Sequence, residues 1–134
     1  MSYENDLDFE KPMKSLFDIG KKISDNVYTG NRPTATKSQM DDFVVVSIGG
    51  NLESKVYGGG YGNIPAYCSF EIYVRLKSEG VENITKMNSI CQSLLRMFPI
   101  SNGILIASRP KILLKGTDGL GFSGTIIRAD LSIK

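Results

Sequence analysis

The sequence contains no histidine in its 134 residues. Histidine is the commonest general acid or base near neutral pH and a frequent metal ligand. A Ser-His or Cys-His nucleophile pair therefore cannot form within this chain. This absence excludes the most familiar arrangements for nucleophilic catalysis, and we expect the protein not to be an enzyme.

Cysteine is scarce as well, with only Cys68 and Cys91 in the chain. Two thiols cannot form a zinc site without carboxylates or a second chain, and they do not make a disulfide framework in a chain of this length. Cys68 lies on the apolar side of a predicted strand and Cys91 on the apolar stripe of a predicted helix. We therefore predict two buried free thiols, no metal and no cofactor.

Long apolar runs are also missing, so no segment is predicted to span a membrane. The first ten residues carry four acidic side chains and no basic one, which is the opposite of a signal peptide. Residues 1–10 are predicted to form a flexible acidic arm, and we expect synthesis in a reducing cytoplasm. The formal net charge of +2 is too small by itself to indicate a nucleic acid or membrane partner.

A length of 134 residues is typical of one domain, which we place at residues 11–134. Apolar spacing of about 3.6 residues predicts helices, and alternation or β-branched runs predict strands. The predicted elements are a helix at 11–24, strands at 26–30, 43–48 and 66–77, a helix at 83–97 with Asn83 as its N-cap, and strands at 104–114 and 122–133. Pro110 indicates an edge, a bulge or a break in the fourth strand.

The clearest element is the strand at 66–77, in which apolar and polar side chains alternate without interruption. Such alternation predicts one buried face and one face that is wetter or contacts a partner. The whole order is α-β-β-β-α-β-β. It predicts an α+β fold with a mostly antiparallel sheet of about five strands and both helices packed on one face.

A glycine-rich loop at residues 49–65 contains six glycines and is predicted to connect two strands as a long hairpin loop. It is not followed by Gly-Lys-Ser/Thr and does not lead into a predicted helix. The sequence signatures of phosphate-binding and dinucleotide-binding loops are therefore absent. A flexible hairpin tip is the simpler interpretation. Loops of this length often bind partners, and here the candidate contacts are Tyr57, Gly58, Gly59, Gly60 and Tyr61.

Carboxylate pairs are the remaining candidates for acid–base or metal chemistry. Asp41 and Asp42 are adjacent at the start of a predicted strand, where neighbouring side chains are expected to diverge. Asp118 lies in a Thr-Asp-Gly turn, where aspartate is expected for local reasons. We assign neither a catalytic nor a metal-binding role.

Basic residues form two groups. Arg75 and Lys77 are predicted to share the outer face of the strand at 66–77, while Arg109, Lys111 and Lys115 lie close together in sequence. One interpretation is a solvated face whose lysines protect an exposed strand edge. The other is an electrostatic contact with an acidic partner or with DNA. No RNA-binding or helix-turn-helix signature accompanies these residues.

Three stretches carry a resemblance to a known family: residues 27–33 (VYTGNRP), residues 42–47 (DFVVVS) and the strand–helix unit at 66–98. Together with the element order from residue 11 onward, they resemble the tail-terminator and neck (head–tail connector) proteins of tailed bacteriophages. The resemblance lies in the order of the elements and in the general character of their sequences. The family has no catalytic residues.

The resemblance implies a structural virion protein in the neck or tail, assembled in the host cytoplasm. Copies of the chain would form a homo-oligomeric ring that joins portal-proximal or adaptor components to the tail. The loop at 49–65, with Arg75 and Lys77, would contact a neighbour or a stacked ring. Arg109, Lys111 and Lys115 would face passing DNA in a channel.

Two other classes of function remain open. An α+β domain of this size often holds a pocket between sheet and helices, which would suit a small ligand-binding or enzymatic domain. The basic strand face would suit a nucleic-acid-binding module, whose binding would weaken with salt.

Overall fold

A computed structural model of the chain describes residues 9–33, 40–50 and 66–133. It contains two helices and six strands, α1 (Glu10–Lys21), β1 (Val27–Thr29), β2 (Phe43–Gly50), β3 (Ala66–Arg75), α2 (Ile84–Leu95), β4 (Ile100–Ser101), β5 (Leu105–Thr117) and β6 (Phe122–Ile133). The predicted α+β class is confirmed. No helix among the described residues is both long and apolar enough to cross a membrane.

The strands form one sheet in the order β1-β2-β3-β6-β5-β4. The prediction of about five antiparallel strands is only roughly right, in two respects. A sixth strand, β4, has two residues and gives almost no sequence signal. In addition, β1 pairs with β2 in parallel, because the chain returns from β1 to the same end of the sheet before β2 begins.

Both helices lie on one face of the sheet, which we call the helix face, as the sequence predicts. Leu16 of α1 and Leu94 of α2 are buried in the same cluster as Phe70 at the centre of β3. Gly20 allows α1 to approach the sheet closely, because a Cβ atom there would lie 3.1 Å from Cγ1 of Val27. Asn83 caps α2 as predicted, since its side chain accepts a hydrogen bond from the backbone N–H of Lys86.

The face of the sheet opposite the helix face, which we call the outer face, is more buried than the sequence predicts. The alternating residues Ala66, Cys68, Phe70, Ile72 and Val74 of β3 are all buried on the helix face, as expected. However, Tyr73 on the opposite face is also buried, in a second cluster with Phe43, Val45 and Phe122. One polar face of a strand can thus be covered by aromatic residues from distant parts of the chain.

Pro110 produces a bulge and not a break. Strand β5 runs through Pro110, but its register against β6 shifts between Ser108 and Lys111. Arg109 at the bulge has a φ of 56°, which is a left-handed conformation that non-glycine residues rarely adopt. The bulge divides β5 into residues 105–108, which we call the covered half, and residues 111–117, the exposed half.

Candidate interaction surfaces

The exposed half of β5 carries three consecutive apolar side chains that face solvent. Ile112, Leu113 and Leu114 are 51%, 58% and 77% exposed. In the covered half, by contrast, Leu105 and Ala107 are completely buried. A run of exposed apolar residues on a strand is unusual in a monomeric protein and indicates a binding surface.

The backbone of the exposed half is also available for pairing. Strand β4 pairs only with Ile106 and Ala107 of β5. No strand within residues 9–33, 40–50 and 66–133 pairs with residues 111–117 along the edge that faces away from β6. An edge strand of this kind presents a row of unpaired N–H and C=O groups, which suits the addition of another strand.

Alternation from Lys111 to Leu114 separates the charge of the exposed half from its apolar surface, and a second register shift against β6 follows between Leu114 and Gly116. The register with β6 puts Ile112 and Leu114 on the helix face, opposite Ile127 and Thr125. Lys111 and Leu113 lie on the outer face, opposite Arg128 and Ile126. Lys115 is on the outer face as well, because its Cβ lies 3.7 Å from the position that a Cβ on Gly124 would occupy.

The outer face of the β5–β6 pair is positively charged. Lys111 and Arg128 are direct cross-strand neighbours, and like charges in that position repel each other. Arg128 also packs its guanidinium over the ring of Tyr67, at 4.2 Å from the ring centroid. An anion bound here would relieve the repulsion.

The structure separates the three basic residues that the sequence grouped together. Lys111 and Lys115 share the outer face of the exposed half, but Arg109 is at the bulge and pairs with Asp130. Its Nε donates to Asp130 Oδ2 at 2.7 Å. Arg109 is therefore a local partner of a carboxylate, and Arg128 takes its place in the basic patch. The sequence pattern did not single out Arg128, because its role depends on the register of β6 against β5.

Arg75 and Lys77 line a different surface, a cleft at the end of the sheet where β3 finishes. The cleft encloses about 630 Å³ between the end of α1, the starts of β2 and α2, and the end of β3. Lys77 lies beyond the end of β3, so the predicted common strand face is wrong in detail. Both side chains nevertheless line the same cleft, together with Lys86.

Asp41 and Asp42 converge in this cleft, and the predicted divergence is wrong. Asp41 Oδ1 accepts a hydrogen bond from Nη1 of Arg75 at 3.3 Å, and Asp42 Oδ1 accepts one from the backbone N–H of Arg75 at 2.7 Å. Asp42 also forms an ion pair with Lys86 of α2. The two residues precede β2, and the alternation that separates side chains within a strand does not apply there. These acids neutralise much of the positive charge of the cleft.

A third polar feature is the pair between Arg32 and Asp118 on the outer face. The guanidinium of Arg32 lies 4.5 Å from the ring centroid of Tyr73 and forms an ion pair with Asp118. Asp118 also accepts hydrogen bonds from the backbone N–H groups of Leu120 and Phe122, as expected for a turn aspartate. The pair holds the turn between β5 and β6 against the cluster of Phe43, Val45, Tyr73 and Phe122.

The pKa values of Asp118 and Tyr73 both depart from their ordinary values. Burial by itself would raise the pKa of Asp118, but the hydrogen bonds from Arg32, Leu120 and Phe122 and the charge of Arg32 outweigh it, so the pKa lies below the ordinary 3.8. Burial, together with the hydrogen bond that Tyr73 donates to Glu71, raises the pKa of Tyr73 to about 12. Tyr73 therefore stays neutral at physiological pH.

The cysteines are buried free thiols, as predicted. Burial raises the pKa of Cys68 to about 11 and also raises that of Cys91. A raised pKa disfavours the nucleophilic thiolate. Among the residues that the structure describes, no group of three or more Cys, Asp or Glu side chains could hold a metal ion.

The predicted contacts of the glycine loop, Tyr57, Gly58, Gly59, Gly60 and Tyr61, lie outside the described residues. Gly49 and Gly50, which were predicted to belong to this loop, instead extend β2 and pair with Tyr67 and Ala66.

No protein-family model matches the chain. No curated protein matches it either.

Proposed function

We propose that this chain is a structural, non-enzymatic subunit of a homo-oligomeric ring in the neck or tail of a tailed bacteriophage. In this role it would join portal-proximal or adaptor components to the tail. The phage neck or tail is inferred from the resemblance of the sequence to tail-terminator and neck proteins. The observation that carries the assembly role is the exposed half of β5, which combines exposed apolar side chains with an edge open to pairing.

The physical argument begins with the cost of leaving this surface in water. Burying a Leu or Ile side chain contributes about 1.5–3 kcal/mol relative to exposure. Ile112, Leu113 and Leu114 are adjacent, so one partner strand can cover all three. A ring requires each subunit to present two different surfaces that close by rotation, and an edge strand provides one of them.

The basic patch of Lys111, Lys115 and Arg128 adds an electrostatic component. Two kinds of anion suit it, namely DNA passing through the ring or an acidic segment of another protein copy. Binding to DNA would show a steep dependence on salt, since each phosphate contact releases counterions. The small net charge of +2 means that any such contact depends on the segregation of charge between faces.

Light scattering and negative-stain imaging test the assembly role with a matched pair of variants. Leu114 and Ile84 are similarly exposed apolar residues, but Ile84 lies at the start of α2 and not on the β5 edge. We expect the wild type to form rings, Leu114→Lys to lose them, and Ile84→Lys to keep them. A wild-type chain that stays monomeric alone and with candidate portal or tail proteins would contradict the proposal.

A second candidate function is the binding of a small polar ligand in the cleft. Its volume of about 630 Å³ falls within the range of small-molecule sites, and Nε of Arg75 is buried there without a hydrogen-bond partner. A metabolite screen that measures melting temperature tests this function. A ligand whose stabilising effect is lost in Arg75→Ala but kept in Arg109→Ala would support it, and a screen without any such ligand would count against it.

A further inference from the structure

The exposed half of β5 specifies the chemistry of the strand that would pair with it. Its outer face presents Lys111 and Lys115 with Leu113 between them, and its helix face presents Ile112 and Leu114. A complementary strand must therefore alternate as well, with acidic side chains on one face and apolar side chains on the other.

A second copy of β5 does not meet this requirement. Antiparallel self-pairing centred on Leu113 would place Lys111 directly opposite Lys115 of the other copy. Like charges in that position are destabilising, and edge lysines are a common device against such pairing. Self-pairing in this register is therefore disfavoured, and an acidic strand from another part of the sequence or from another protein fits the edge better.

Residues 3–8 of this chain, Tyr-Glu-Asn-Asp-Leu-Asp, have the required alternation. Glu4, Asp6 and Asp8 fall on one face of an extended strand, and Tyr3, Asn5 and Leu7 fall on the other, where only Asn5 is polar. Phe9, which follows directly, is 62% exposed at the start of α1. Its exposure leaves a further apolar side chain next to the segment for contact with a partner.

We propose that residues 3–8 of one copy add as a strand to the exposed half of β5 in a neighbouring copy. Glu4, Asp6 and Asp8 meet the lysines of the outer face, while Leu7 covers the apolar side chains of the helix face. This inference rests on the proposed ring and identifies the contact that links its subunits. The contact is heterologous, because the arm of one copy meets the edge of the next, and heterologous contacts generate rings.

Geometry favours a neighbouring copy over the same chain. Nδ2 of Asn102, next to the start of β5, donates to Oγ of Ser15 at 3.1 Å, so the first half of α1 lies near that end of the sheet. From there Leu114 is about 30 Å away along β5. The helical turns from Ser15 back to Phe9 add about 9 Å of reach, and the extended chain from Phe9 to Glu4 adds about 18 Å. An arm from the same chain would have to be almost fully extended to approach Leu114, whereas an arm from a neighbouring copy carries no such constraint.

The same surface fits DNA less well than it fits an acidic strand. Phosphate contacts would engage Lys111 and Lys115 but would leave Leu114 and the backbone edge exposed. A paired acidic strand satisfies the lysines, the apolar side chains and the backbone together. DNA binding is accordingly one of the outcomes that the experiment distinguishes.

A charge-swap experiment tests the contact. One variant carries Glu4→Lys, Asp6→Lys and Asp8→Lys, and the other carries Lys111→Glu and Lys115→Glu. We expect each variant alone to need at least a tenfold higher concentration for half-assembly, measured by light scattering. The control Glu79→Lys with Glu82→Lys changes exposed charges in the turn before α2 and should assemble like the wild type.

Restoration provides the sharper readout. A chain that carries both sets of substitutions should assemble, and so should a mixture of the two variants, since every arm then meets an edge of opposite charge. Restoration in the mixture requires pairing between chains. Circular dichroism and melting of each variant at low concentration should match the wild type, because all five substituted positions lie in the arm or on the exposed half.

The outcomes separate this contact from the ring itself. A wild-type monomer would refute the ring. Rings that form equally well in both variants would leave the ring standing and overturn the arm–edge contact. Loss of assembly in the β5 variant without restoration by the arm variant would also overturn it. Loss of salt-dependent DNA retention in the β5 variant, with assembly intact, would assign the lysines to DNA instead.

Discussion

The covered and exposed halves of β5 belong to one strand and each contain three apolar residues, yet the surroundings of these residues differ. Leu105 and Ala107 lie within the cluster that both helices cover. Ile112, Leu113 and Leu114 extend beyond that cover into solvent. The composition of a strand therefore predicts that it is a strand, but the elements packed over it decide whether its apolar side chains form a core or a binding surface.

The bulge at Arg109 and Pro110 is the boundary between these halves. A register shift at this point separates the alternation of the covered half from that of the exposed half. As a result, Lys111, Leu113 and Lys115 share the outer face with Arg128. The bulge thus positions the basic and apolar side chains of the exposed half.

The largest expected difference between the halves comes from a matched pair of leucines. Leu105→Ala should lower the free energy of unfolding by about 2–5 kcal/mol, because it leaves a cavity in the core. Leu114→Ala should change the free energy of unfolding of the monomer by less than about 0.5 kcal/mol. Urea unfolding at low protein concentration measures both. Equal losses would show that the two halves do not differ in burial.

A concentration series sharpens this pair. If Leu114 is buried in an assembly, the wild type gains stability with concentration by mass action, and Leu114→Ala reduces that gain. As long as the wild type and Leu105→Ala assemble to the same extent, the loss of unfolding free energy in Leu105→Ala should be the same at every protein concentration.

An intermediate effect is expected at the turn that ends the exposed half. Asp118→Asn should lower stability at pH 7 by about 1–3 kcal/mol, because it removes a charged partner of Arg32. The folded pKa of Asp118 is below its ordinary value, so its contribution is present above pH 3.8 and is lost as the pH falls through the folded pKa. The difference from the wild type should therefore shrink in acid.

Asp130→Asn is the matched control for the turn. Asp130 pairs with an exposed Arg109, and surface pairs contribute about 0–1 kcal/mol. A loss at Asp130 as large as that at Asp118, measured by urea unfolding at pH 7, would contradict the role assigned to the Arg32–Asp118 pair.

The smallest expected effect has the opposite sign. Lys111→Thr removes the cross-strand repulsion with Arg128 and should stabilise the monomer by about 0.2–1 kcal/mol. The same substitution should weaken assembly, since Lys111 is a proposed contact for the acidic arm. Thermal unfolding and light scattering on one sample measure the two effects. A variant that is less stable and assembles normally would show that Lys111 serves the fold and not the interface.

Local signals in the sequence predicted much of the fold. The alternation of β3 predicted which of its residues are buried on the helix face, Asn83 was correctly predicted as the cap of α2, and the apolar positions of Cys68 and Cys91 predicted buried thiols. These features follow from backbone preferences and from periodicity, which act over a few residues. Lys111 and Lys115 were grouped with Arg109 only because they are close in sequence, and it is the strand geometry that puts Lys111 and Lys115 on the outer face.

Tertiary structure alone decided the rest. Arg32 and Asp118 are 86 residues apart, and their pairing over the aromatic cluster has no local signature. Arg128 joins the basic patch and Arg109 leaves it because of the register between β5 and β6 and the bulge within it. Ile112, Leu113 and Leu114 are exposed because they belong to neither buried cluster, and the extent of these clusters is set by packing between distant segments. The sequence determined the elements and the absence of histidine chemistry, while the contacts between elements determined which surface is free to bind.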